Sequence, residues 1–185
     1  MGQLAQKNPG LFAQFAQKAG KLVIRRNGGE HMPKAYTVVL VQTPAGMLLI
    51  NRKKVPYIGL WNGLGGKFEP GETALDCAQR EVFEESGLTI YNAKVCGIVH
   101  WLVDGQLRGD LHLVAAEAEN LQPAAQMTRE GVITAWPETW LHDPENLGLV
   151  PDLAAMLPIF KRADGREYRS NFHGDTFLNL VPADA

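Results

Sequence analysis

Three carboxylates, Glu81, Glu84 and Glu85, stand at i, i+3 and i+4. On a helix turning about 100° per residue they share an arc of roughly 100°. Carboxylates crowded in this way repel one another. A hard divalent cation removes that repulsion, since Mg²⁺ and Mn²⁺ prefer oxygen ligands. A solvated acidic helix face is the ordinary alternative for such a triplet, and the preceding residues weigh against it. Gly65-Gly66 lets the backbone turn tightly, approach a ligand and expose a carbonyl. Pro70-Gly71 sets a turn just ahead of the helix. Lys67 and the helix N-terminus offer positive potential to a phosphate. Phosphate and acidic helix would then meet around one metal-binding pocket.

The helix itself is predicted over Thr73–Ser86, with Thr73 as cap, Asp76 three residues on and Gly87 as the stop. Leu75, Ala78 and Val82 form the neighbouring stripe expected to bury it. Ahead of it, Tyr36–Gln42 and Met47–Arg52 are β-rich runs joined by Thr43-Pro44-Ala45-Gly46, and a loop runs from Lys53 to Asn62. Behind it, Val95–Val103 and Leu107–Ala116 pair around Asp104-Gly105, and Val132–Trp136 is a further strand. Residues 151–160 read as a helix with Pro151 in its first turn. Tyr168–Phe172 and Thr176–Leu180 flank His173-Gly174-Asp175 as a terminal hairpin. Strands mixed with two core helices give an α/β fold, a sandwich around a mixed sheet.

The chain divides into an N-terminal extension and linker, residues 1–31, and a domain over 32–185. Asn8-Pro9 starts a helix whose Leu11, Phe12, Phe15, Ala16, Ala19, Leu22 and Val23 share one face. Lys18 and Lys21 lie on the other, and Asn27-Gly28-Gly29 is the linker. This helix is expected to pack on the domain or on a neighbour, so a homodimer is possible. A membrane-surface or nucleic-acid role for its basic face is the alternative. The whole chain of 185 residues carries a formal charge of −2, which exerts no pull toward nucleic acid or membrane. No apolar run reaches the ~18 residues of a spanning helix. Cys77 and Cys96 form neither a C-x-x-C pair nor part of a zinc cluster, which fits a reducing cytoplasm. Both read as packing residues, and His100 and His112, in strands, as structural ones.

Gly66, Glu72, Arg80-Glu81-Val82, Glu84-Glu85 and Gly87-Leu88 fill every defined position of G-x5-E-x7-R-E-U-x-E-E-x-G-U, with U aliphatic. That pattern is the Nudix box, and the chain resembles the Nudix hydrolases. Tyr36–Val41, Trp61–Lys67, Glu84–Leu88 and Gly174–Leu178 are further similar to the MutT-like 8-oxo-dGTP diphosphatase branch. The likeness covers roughly residues 34–180. It implies the Nudix-fold α/β/α sandwich. It implies metal ligation by Glu81, Glu84, Glu85, the carbonyl of Gly65, and a later acid, best matched by Glu130. It implies that Arg80 and Glu72 orient those carboxylates. Asn62 would touch the base. Thr37, Arg52, Leu64, Gly66, Lys67 and Asp152 fall at other substrate positions. Members of that branch carry two acids after a Trp-Pro. Here Val150-Pro151-Asp152-Leu153 has one, with Leu153 where the second would stand.

The expected reaction is attack of water on a phosphorus of a nucleoside triphosphate, giving the monophosphate and pyrophosphate with Mg²⁺ or Mn²⁺ as cofactor. Glu81 and Glu84 are both candidates to accept the water's proton. Lys67 and Arg52 would neutralise the polyphosphate. The same chemistry on a nucleotide sugar, a dinucleoside polyphosphate or an RNA 5′ end is the nearest rival. A non-catalytic nucleotide-sensing module is a rival of another class, but no carboxylate of the box is missing. A Nudix-fold isoprenoid isomerase would need a catalytic cysteine in a loop, where neither cysteine is expected.

Overall fold

The computed structural model describes residues 34–121 and 123–184. The expected N-terminal helix, its linker and the boundary at residue 31 lie outside them.

Alternation along β1 (Lys34–Thr43) sets the architecture. Val39 and Val41 point to one face of the sheet, Val38 and Leu40 to the other, and all four are buried. Both faces must therefore be covered. On the first, α1 (Ala74–Ser86) packs Ala78 and Val82 against Val39, Val41, Leu48 and Val114. On the second, α3 (Leu153–Arg162) packs Leu153, Met156, Leu157 and Ile159 against Val38, Leu40, Leu49 and Leu113. This is the α/β/α sandwich the sequence implied.

The sheet between the helices runs β6-β7-β2-β1-β5-β4-β8-β9, with a short β3 (Trp61–Asn62) pairing off-path with β2. The remaining strands are β2 (Gly46–Arg52), β4 (Tyr91–Val103), β5 (Gln106–Glu117), β6 (Ala125–Met127), β7 (Gly131–Trp136), β8 (Glu167–His173) and β9 (Thr176–Pro182). The pairs β1–β5 and β4–β8 are parallel and the others antiparallel, so the sheet is mixed. A four-residue α2 (Glu138–Leu141) seats Leu141 in the core.

Four details differ from the sequence reading. Leu75 is 40% exposed, and Cys77 takes its place on the buried face of α1. The loop expected over 53–62 ends in strand, because Asn51 and Ile50 of β2 pair with Trp61 and Asn62. The helix expected over 151–160 begins at Leu153 and runs to Arg162. The short β6 and α2 carry no periodicity long enough to read.

Where β1 and β2 part makes room for a site. Their pairing covers only Val41↔Leu48 to Thr43↔Gly46. Along the first half of β1 the chain after β3 fills the place of β2. Val39 N–H donates to Leu64 O at 2.7 Å, Thr37 N–H to Gly66 O at 2.8 Å, and Phe68 N–H to Ala35 O at 3.0 Å. The glycines permit this approach. A Cβ on Gly65, whose φ is +118°, would come within 2.6 Å of Thr37 O.

Candidate active site

The helix forms for local reasons. Thr73 Oγ1 accepts from Asp76 N–H at 3.2 Å, and Asp76 accepts from Thr73 N–H at 3.0 Å, a reciprocal capping box. Gly87 closes the other end at φ 73°, with its N–H bonded to Phe83 O. With Cys77, Ala78 and Val82 turned into the core, Glu81, Glu84 and Glu85 face the chain laid along β1.

Arg80 ties that helix to the glycine loop. It donates to Glu72 through Nε at 2.6 Å and Nη2 at 2.9 Å, a bidentate pair. Nη2 also reaches Lys67 O at 3.1 Å, and Nη1 reaches Glu81 at 2.8 Å and Glu84 at 3.5 Å. The guanidinium holds the Glu72 carboxyl down at about 2, and Glu72 in turn raises the pKa of Arg80. Neither Arg80 nor Glu72 lines the cavity, so both hold the acids and the loop from behind. Gly66 lies so close to Glu81 that a Cβ there would collide with the carboxylate. Its N–H donates to Thr37 Oγ1 at 3.3 Å, which occupies the side chain of Thr37, a residue expected to bind substrate.

Glu85 is the unusual acid. Its Oε2 accepts from Gly65 N–H at 3.0 Å. Burial pushes its pKa up from 4.5 to about 8; the Gly65 N–H opposes this, while the charges of Glu81 and Glu130 reinforce it. Glu130 sits in the β6–β7 turn, where Thr128 Oγ1 accepts from its N–H at 3.2 Å. Its carboxylate pairs with Lys54 at 2.5 Å.

The expected metal ligands thus line one cavity but do not stand at ligating distances. Among the described residues no three His, Cys, Asp or Glu side chains converge tightly enough to hold an ion as they lie. Arg80 draws off Glu81 and Glu84, and Lys54 draws off Glu130. The donor set is nonetheless all oxygen. A buried carboxyl whose ionisation burial opposes, beside two further acids, is a place where a hard cation fits, since the cation offsets that opposition.

The cavity, of about 890 Å³, extends from these acids across β1 to the α3 side of the sheet. Gly65, Gly66, Lys67 and Arg52 line its acidic end. Arg52 Nε is buried without a hydrogen-bond partner, a donor set for an anion. Asn62 and Asp152 lie toward the other end, with Tyr57, Trp101 and Met156. Asn62 Oδ1 accepts from Gly63 N–H at 2.9 Å, so its NH₂ group is what it offers a ligand. Asp152 is 6% exposed and bonded to Ser170.

One expectation fails here. Leu64 is 1% exposed, packs in the core with Val82 and is absent from the cavity wall, because the strand-like path of its segment turns it toward α1. Leu153 is wholly buried in the α3 core, so no second acid at that position would reach the cavity. Tyr57, Trp101 and Ser170 were not foreseen. One lies in a loop and two in strands, and only the register of β4 with β8 brings the last two together. Trp61 packs edge-on to Trp136 and Trp140 instead of lining the cavity. His100 bridges Asp110 and Glu167 at 2.7 and 3.1 Å, away from the cavity, and His112 packs on Phe68, as structural residues.

The model of the NUDIX domain matches residues 31–160. The chain belongs to the Nudix family. It is a Nudix hydrolase. The oxidized purine nucleoside triphosphate hydrolase of Mus musculus is 34% identical over 115 residues, covering 57% of this chain and 74% of the relative. The protein of the same description from Danio rerio is 38% identical over 92 residues, covering 49% and 59%. In fold, the Nudix chain resembles a MutT protein from Bacillus halodurans, with a TM-score of 0.64 at 20% identity over 82% of this chain and 99% of that one. Among its described residues no helix is long and apolar enough to cross a membrane.

Proposed function

We propose that this Nudix hydrolase splits a nucleoside triphosphate, with 8-oxo-dGTP as the leading candidate, into the monophosphate and pyrophosphate with the help of Mg²⁺ or Mn²⁺. One observation carries the reading. A single cavity joins the acidic face of α1 to a partly aromatic end holding Asn62 and Asp152. Its volume suits a nucleotide. The relatives described as oxidized purine nucleoside triphosphate hydrolases support the same substrate class.

Glu81, Glu84, Glu85, the Gly65 carbonyl and Glu130 would hold the cation, which supplies charge neutralisation at the phosphates and a more acidic water. Glu81 or Glu84 accepts the proton of that water. Lys67 and Arg52 meet the phosphate charge from the cavity wall. Arg80, fixed by Glu72, keeps the acids and the glycine loop in register. The Asn62 NH₂ group and the Asp152 carboxyl read the base. Residues 32–185 form the catalytic unit, and residues 1–31 an extension to it. Both cysteines are free and buried, which suits the cytoplasm.

A second reading has an observation of its own. Lys34 and Arg108 line the same cavity and would suit a phosphate beyond the nucleotide, as in a dinucleoside polyphosphate or an RNA 5′ end. The test is a panel of normal and oxidised nucleoside triphosphates, dinucleoside polyphosphates and 5′-capped RNA with Mg²⁺ or Mn²⁺, the products identified by phosphorus NMR. Monophosphate and pyrophosphate from the triphosphates, at higher kcat/KM than for the longer substrates, support the first reading. The reverse order establishes the second.

A further inference from the structure

Along β8, Tyr168, Ser170 and Phe172 are buried and alternate with more exposed residues. Ser170 is wholly buried at a position where an apolar side chain is the ordinary choice. A buried hydroxyl is costly unless it is bonded. This one donates to Asp152 Oδ2 at 2.9 Å, across from β8 to the residue just before α3. Asp152 lines the cavity. Trp101, the register partner of Ser170 on β4, lines it too. Ser170 therefore stands directly behind the wall at this end.

The terminal torsion of an aspartate is broad and nearly two-fold, so a carboxyl held only by its own backbone swings between orientations. The Ser170 hydroxyl engages Oδ2 and leaves Oδ1 for a ligand. Leu153 faces the core, so Asp152 acts without a neighbouring acid. We propose that Ser170 is a positioning residue for base recognition, clamping Asp152 so that its Oδ1 meets one polar atom on the edge of the nucleobase. This rests on the reading that the cavity takes a nucleoside triphosphate with its base toward Asp152. Selection then depends on direction as well as charge, and losing the clamp broadens the range of bases accepted.

The experiment compares kcat and KM for dATP and dITP, which differ in the group at the purine six-position. In Ser170→Ala the ratio of the two kcat/KM values should move toward one by about fivefold, the scale of one net hydrogen bond. The change should appear in KM, with kcat preserved. In an Asp152→Ala background, Ser170→Ala should add nothing, since two residues acting through one contact are not additive. Ser170→Thr against Ser170→Val, nearly the same shape with and without the hydroxyl, reads the same ratio if the alanine variant fails to fold. Thr should keep the parental ratio and Val should lose it. An unchanged ratio in the hydroxyl-free variants, or an equal extra loss in the Asp152→Ala background, overturns the inference. Failure of the parent to hydrolyse any nucleoside triphosphate overturns the proposed function and this inference with it.

Discussion

Glu85→Gln should make the metal-free protein more stable and the enzyme nearly inactive. The folded chain holds the Glu85 carboxyl at about 8, against an ordinary 4.5, chiefly because it is buried. A value raised on folding means that the folded state binds the proton more tightly than the unfolded state. The resulting stability is fully present below about pH 4.5 and is lost as pH rises through about 8. Once lost, it amounts to something on the order of 5 kcal/mol. Glutamine cannot ionise and keeps an oxygen for Gly65 N–H, but its NH₂ group needs a partner of its own. A net gain of about 2–4 kcal/mol at pH 8.5 is therefore expected, or roughly 5–15 °C in Tm for a domain of this size. At pH 4.5 the gain should be close to nothing. The assay is thermal denaturation of chelator-treated protein from pH 4.5 to 8.5, followed by circular dichroism. Adding Mg²⁺ should then raise the Tm of the parent at pH 8.5 and leave the variant almost unmoved. Hydrolysis by the variant should fall about 10²-fold or more. Equal melting of parent and variant at pH 8.5 would show that Glu85 carries no such penalty. Near-parental turnover at limiting metal would remove it from the metal site.

Arg80→Lys cannot reproduce the bidentate grip on Glu72 while also reaching Lys67 O, so kcat should fall about 10–100-fold with the fold intact, as judged by an unchanged circular dichroism spectrum. A variant with parental kcat would show that the guanidinium does not organise the acids. Deleting residues 1–31 should leave kcat/KM largely unchanged, and size-exclusion chromatography of the two forms reports whether that segment makes a homodimer. An inactive but folded truncation would bring the segment into the site. Leu153→Asp puts a charge into a wholly buried position and should destabilise the chain by about 3 kcal/mol or more in urea denaturation, without sharpening base selection.

The acidic helix that lines one end of the cavity was legible in the sequence because its determinants are local. Thr73, Asp76 and Gly87 set the helix within a few residues of themselves, and the spacing of Glu81, Glu84 and Glu85 sets their common face. The β-rich run Tyr36–Gln42 was likewise legible as a strand, whereas the burial of Val38 to Val41 on both of its faces is a finding of the structure. Periodicity was weaker where one residue decided the face. Leu75 lies at the rim of the α1 stripe and came out exposed, and Leu64 looked like part of a binding loop until its pairing with Val39 turned it inward. The ion pairs of Arg80 with Glu72, which lies ahead of the helix, and of Lys54 with Glu130 join residues across turns and loops of no fixed geometry, so spacing alone did not yield them.

The end of the cavity proposed to take the base is built differently, with a consequence for specificity on that reading. Asp152, Trp101 and Ser170 come from the start of α3 and from two parallel strands. No motif links them, and the register Trp101↔Ser170 is what joins them. A strand has a side-chain period of two, so a one-residue slip of β8 would replace Ser170 by Arg169 or Asn171 behind Asp152. The neighbours that pin the register, Tyr168 and Phe172, are buried on the same face as Ser170. Substitutions that loosen them should alter which base is preferred before they alter hydrolysis, since the acids of α1 are held by Arg80 and the glycine loop on the opposite face of the sheet. On the proposed reading, recognition and chemistry are therefore separable in this fold: base preference would change through β8 and α3 while the carboxylate helix stays as it is.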